Sequence, residues 1–143
     1  LTEQDFGISY PDAIGDLDRY IRYPSNWSNI EKNFKSVRKL SNANIEIHCT
    51  VQMYNILRLH EMIEWSKPYG HKIHFNILNH PDHLNIRCLP SPLKKQITEI
   101  LSNYKDFDRI EGVIEYMNKE DWSENMTQFY QYTNVLDKST SLV

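Results

Sequence analysis

A chain of 143 residues that is 40% apolar and 24% charged has the makings of one folded domain with its own core, and this composition excludes a disordered polymer. Its formal charge of −3 comes from acids and bases interleaved along the chain, which excludes the basic stripe of a phosphate-backbone binder and argues against direct contact with nucleic acid. No apolar run approaches the roughly 20 residues of a membrane helix, and the first residues lack the basic-then-apolar pattern of a secretory leader. The expected location is therefore the cytoplasm, with no membrane partner.

In chain order, the segment 6–9 reads as a short strand ended by Tyr10-Pro11-Asp12, because proline cannot continue a ladder. Trp27, Ile30, Phe34, Val37 and Leu40 then recur every three or four residues, predicting a helix with Ser25 or Asn26 as its cap. Residues 44–52 alternate, with Ile45, Ile47, Cys49 and Val51 on one face and Glu46, His48, Thr50 and Gln52 on the other. Ile56, Leu59 and Ile63 predict a second helix, stopped near Lys67-Pro68 and Gly70. Residues 72–78 alternate again, setting Ile73, Phe75 and Ile77 against Lys72, His74, Asn76 and Leu78. From Pro90 onward the pattern is helical only, over about 91–104, 107–117 and 120–136.

Two successive strand–helix–strand units with short connections predict parallel pairing and right-handed crossovers. The expected fold class is α/β: a partial parallel (β/α) barrel segment of about three strands over residues 1–89, followed by a helical C-terminal extension over 90–143 packed on it. Strands of a doubly wound sheet are apolar on both faces, whereas these are polar on one. A curved sheet with the apolar face under helices and the polar face toward a wet lumen satisfies both patterns. Ligands of parallel α/β folds bind at the C-terminal strand ends, which here carry Ser9, Asp12, Thr50, Gln52, Asn76, Asn79 and His80. Glu46 and His48 form a candidate polar pair within such a lumen.

Ile8-Ser9, followed by Asp12-Ala13, an acidic short helix and Arg22, resembles the fourth strand and following turn of radical S-adenosylmethionine (SAM) enzymes. Residues 47–55 resemble the fifth strand of that fold and its exit, and 74–79 the sixth. The run 129–138 (FYQYTNVLDK) is similar to the end of the twitch-domain type of these enzymes. Tyr10-Pro11 departs from the pattern, standing where the family has a single apolar residue between Ser and Asp. The resemblance implies that Ser9 approaches the ribose or amino-acid part of S-adenosylmethionine, that Asp12 accepts from a ribose hydroxyl or orients the loop, and that Arg22 pairs with the methionyl carboxylate. It also implies that Thr50, Gln52 and Asn76 face the adenine or the substrate.

The family's chemistry needs a C-x-x-x-C-x-x-C loop holding a [4Fe-4S] cluster, and this sequence has only Cys49 and Cys88. The expectation is the C-terminal half of such an enzyme, whose partner is the missing N-terminal half and whose substrate is an unknown peptide or small molecule. The first residue, Leu1, agrees with a reading frame that extends upstream. S-adenosylmethionine and the cluster belong to the full-length enzyme, and neither is expected to bind this chain alone. The competing reading is a small non-catalytic α/β module that binds a ligand or a protein. No metal site is expected from the histidines: the tightest group, His80-Pro81-Asp82-His83, lies in a proline-containing loop without the registry that paired ligands need. Trp122, Phe129, Tyr130 and Tyr132 read as a helix face on the core, with a base-stacking platform as the alternative.

Overall fold

The computed structural model describes residues 4–8, 13–23, 25–39, 43–69 and 72–140. Three strands, β1 (Gln4–Ile8), β2 (Ala43–Val51) and β3 (Lys72–Ile77), form a sheet in the order β1-β2-β3. Both pairings are parallel, with Ile8 opposite Ile47 and His48 opposite His74. Between β1 and β2 run α1 (Asp16–Ile21) and α2 (Trp27–Arg38), and between β2 and β3 runs α3 (Leu59–Ser66). Three helices follow the sheet: α4 (Ser91–Leu101), α5 (Ile110–Lys119) and α6 (Met126–Thr140). No helix among the described residues is long and apolar enough to cross a membrane.

The sequential strand order explains where the helices lie. When each crossover is right-handed and each new strand is added on the same side of the last, the connecting helices fall on one face of the sheet. Ile47, Cys49, Val51, Ile73 and Phe75 accordingly share a single core with Phe34 of α2 and with Leu59, Met62 and Ile63 of α3. The same core takes in Ile97 and Leu101 of α4 and Ile110, Val113 and Met117 of α5, so residues before and after Pro90 are buried together. Phe34 packs on Trp65 at 4.9 Å between ring centroids and on Tyr69 at 5.3 Å, which locks α2 beside the end of α3.

The helix starts show why these segments fold locally as they do. Asn26 caps α2, its side chain accepting from the Asn29 N–H at 3.3 Å, and this satisfies one of the orphan donors of the first turn. Gly15 precedes α1 with φ 66° and ψ −132°, a conformation open in practice to glycine alone. Between β3 and α4 the chain makes two tight turns, Asp82–Leu84 and Ile86–Cys88, that bury Leu84, Ile86, Cys88 and Leu89. Asn85 holds them: its amide donates to the Leu78 carbonyl (3.2 Å) and the Tyr116 hydroxyl (2.6 Å), and its oxygen accepts from the Arg87 N–H (2.9 Å).

Several expected boundaries shift by a few residues, and two of the shifts have a visible cause. The last helix begins at Met126 and not at residue 120, because Trp122 is drawn into a joint with Arg87. The Arg87 guanidinium stacks 3.7 Å from the Tyr116 ring centroid and 5.5 Å from that of Trp122, while the Trp122 indole donates to Glu120 at 2.8 Å. β2 ends at Val51, one residue early, because Asn55 turns the chain. Its side chain accepts from the Gln52 N–H at 2.9 Å and donates to the Thr50 carbonyl at 2.7 Å.

Candidate functional site

The face of the sheet opposite the helices is polar along β2 and β3. Glu46, His48 and Thr50 of β2 stand in register with Lys72, His74 and Asn76 of β3, and all six are half-buried or exposed. Thr50 and Asn76 form one cross-strand pair at the C-terminal end of this face, and His48 and His74 form the next pair inward. The two imidazoles stack, with centroids 4.8 Å apart and planes 22° apart. Glu46 reaches diagonally to His74, with its Oε2 3.0 Å from Nε2. That contact lies outside the hydrogen-bonding direction of the ring, and Nε2 is buried without a hydrogen-bond partner among the described residues.

The C-terminal mouth of the sheet is crossed by α6. Tyr132 packs its ring 4.8 Å from His83, just beyond β3; Phe129 lies 5.3 Å from Tyr54, just beyond β2; and Thr133 shares a 2.7 Å hydrogen bond with the Tyr54 hydroxyl. Further along α6, Asp137 accepts from the Tyr20 hydroxyl of α1, and the Tyr20 ring meets Tyr54 edge-on at 5.5 Å. Burial, and next the bond to Asp137, hold the Tyr20 phenol far above its ordinary range. Burial likewise raises Tyr54, partly offset by its bond to Thr133. His83 is 8% exposed, and neither ring nitrogen finds a partner among the described residues.

The residues expected to bind S-adenosylmethionine divide by position. Ser9 and Asp12 lie outside the described residues. Arg22 is half-buried at the end of α1, its main-chain N–H donating to the Asp18 carbonyl at 2.9 Å. Thr50 and Asn76 are brought together on the polar face. Gln52 leaves the strand and is buried in the turn, where its Oε1 finds no donor among the described residues.

Neither thiol fits a cluster. Cys49 is fully buried on the helix-covered face, and Cys88 is buried on the far side of the turns, its thiol donating to the Asp82 carbonyl at 2.9 Å and raised in pKa first of all by burial. The residues present do not form an iron–sulfur site.

Sequence reasoning missed two things here. The stacked histidines come from strands 26 residues apart in sequence, and only the register that sets Thr50 beside Asn76 also sets His48 beside His74. The mouth residues Tyr20, Tyr54 and His83 carry no spacing signal, because α6 gathers them from three connections, Tyr20 through its own Asp137. Tyr132, expected on the core, is 41% exposed, and Tyr130 is 59% exposed, whereas Phe129 and Trp122 do pack against it. A depression of about 670 Å³ at α5, lined by Arg87, Tyr116 and Lys119, is part of the Arg87 joint.

Comparison of the chain with models of protein families, with curated proteins and with solved structures gives no match in any of the three.

Proposed function

We propose that this chain is one part of a radical S-adenosylmethionine enzyme, a segment of a (β/α) barrel that supplies some of the cofactor and substrate pocket while the cluster ligands come from another part of the full-length polypeptide. The observation that carries the reading is the one-sided sheet: three parallel strands in sequential order, helices packed on one face, and a polar opposite face bearing Glu46, His48, Thr50, His74 and Asn76. Parallel sheets are ordinarily covered on both faces, and a polar face at the inside of a curved sheet is what a ligand-holding barrel presents. In this reading the outer edges of β1 and β3 are where further strands pair.

Thr50 and Asn76 then line the pocket near its mouth, Ser9 and Asp12 contact the ribose or amino-acid part, and Arg22 faces the carboxylate. Gln52 serves from the turn, its unpartnered oxygen offering an acceptor. These groups bind and orient, and the bond breaking belongs to the cofactor. The cellular setting that goes with this reading is the cytoplasm.

The test is to read the complete open reading frame and reconstitute its product anaerobically with iron and sulfide. The reading expects an in-frame C-x-x-x-C-x-x-C segment, a brown protein, and dithionite-dependent cleavage of S-adenosylmethionine that Thr50→Val and Asn76→Ala weaken. A complete frame without that segment would leave a non-catalytic α/β ligand-binding module and overturn the enzyme reading.

A further inference from the structure

On the polar face, Glu46, His48 and His74 each offer one ligand atom, and these atoms all lie within 4.8 Å of one another. We propose that they form a binding site for a first-row divalent transition cation, of the chemistry shared by Zn²⁺, Co²⁺ and Fe²⁺. Two imidazoles and one carboxylate with open positions around them are a donor set that such cations favour, whereas Mg²⁺ and Ca²⁺ prefer oxygen alone. The site goes beyond the S-adenosylmethionine reading and does not depend on it.

Three features of the geometry support it. First, the Glu46 Oε2 and the His74 Nε2 are 3.0 Å apart yet are not hydrogen-bonded, since the oxygen sits beside the ring N–H direction. Neighbouring ligands on one metal stand in that relation: bonds of about 2.0–2.2 Å place cis or tetrahedral ligand atoms roughly 3.0–3.5 Å apart, with both lone pairs aimed at the ion and not at each other. Second, the buried Nε2 without a hydrogen-bond partner is a costly arrangement in the empty site and a satisfied one with a cation bound. Third, the three residues stand on two hydrogen-bonded strands in fixed register, so the donors rest on rigid backbone while their half-buried side chains keep the freedom to close from 4.8 Å.

The three residues are half-buried on the face opposite the helices, so water or an anionic oxygen of a ligand can reach a bound cation there. Lys72, opposite Glu46 and exposed on the same face, is placed to accompany such an anion.

The experiment uses the chain as it stands, without S-adenosylmethionine. Co²⁺ is titrated into the protein under anaerobic conditions and followed by visible absorption, with Zn²⁺ competition and calorimetry for stoichiometry. One equivalent is expected to bind with a ligand-field band and to be displaced by Zn²⁺. His48→Ala, His74→Ala and Glu46→Gln should each weaken binding by more than about tenfold, since loss of even an outer partner of a ligand costs that much. Circular dichroism of the metal-free variants checks that each is folded, and His80→Ala serves as a control that should bind as the parent does. Absence of binding by the parent chain, undiminished binding by the folded His48→Ala/His74→Ala variant, or loss of binding in His80→Ala would overturn the proposal. Failure of S-adenosylmethionine cleavage by the full-length product would leave this result unaffected.

Discussion

His74 and Phe75 are adjacent in β3 and face opposite worlds: Phe75 is 1% exposed under the helices, whereas His74 stacks on His48 across the open face. Phe75→Ala should cost about 3–5 kcal/mol, the price of an aromatic cavity in a core. His74→Ala should cost about 1 kcal/mol or less, the worth of one cross-strand pair. Urea denaturation of the two variants measures the difference directly, and equal losses would mean that the polar face is covered like the other.

The phenols at the mouth set an alkaline limit. Tyr20 and Tyr54 keep their protons in the folded chain above the ordinary value of 10.0, mainly through burial. Because the folded values are raised, their contribution is fully present below pH 10.0 and is lost as pH climbs toward the folded values, where the unfolded chain sheds protons first. Melting temperature should therefore fall more steeply above about pH 10 in the parent than in Tyr20→Phe/Tyr54→Phe. A tyrosinate titration at 295 nm under folded and denaturing conditions should show the same delay.

His83 carries two buried nitrogens without partners among the described residues. A buried polar group left unsatisfied costs about 1–3 kcal/mol, and an apolar replacement of similar shape removes that cost. His83→Leu should melt at or above the parent temperature. A drop of several degrees would show that the imidazole has partners in the folded protein.

Asn85 does the opposite work. It bonds the Leu78 carbonyl, the Tyr116 hydroxyl and the Arg87 N–H from a fully buried position, so Asn85→Ala should cost about 2–3 kcal/mol by chemical denaturation. Asn85→Asp should do no better, since its carboxylate would face the Leu78 carbonyl with no proton to give.

How much of this was legible in the sequence follows from which signals are local. Alternation at 44–52 and 72–78 placed β2 and β3 and sorted their faces, because a period of two survives in any parallel or antiparallel partner. The caps, the proline and the apolar spacing located α2 through α5 to within a few residues. Register was not legible, since the offset that sets His48 on His74 comes from how α3 packs and not from either strand. The path of α6 was hidden for a similar reason: its aromatic residues fit a core face as well as a stacking face until Tyr54, His83 and Tyr20 are known to lie beneath them. Gln52 was placed on a strand by alternation that Asn55 interrupts through a side-chain bond, which periodicity does not register.

The bond from Tyr20 to Asp137 joins residues 117 positions apart, the two ends of a path that α6 takes over the mouth. A ribosome that works from N- to C-terminus releases the sheet long before it releases this helix. Tyr54 and His83, at the exits of β2 and β3, therefore gain their cover from α6 only once the chain is nearly complete.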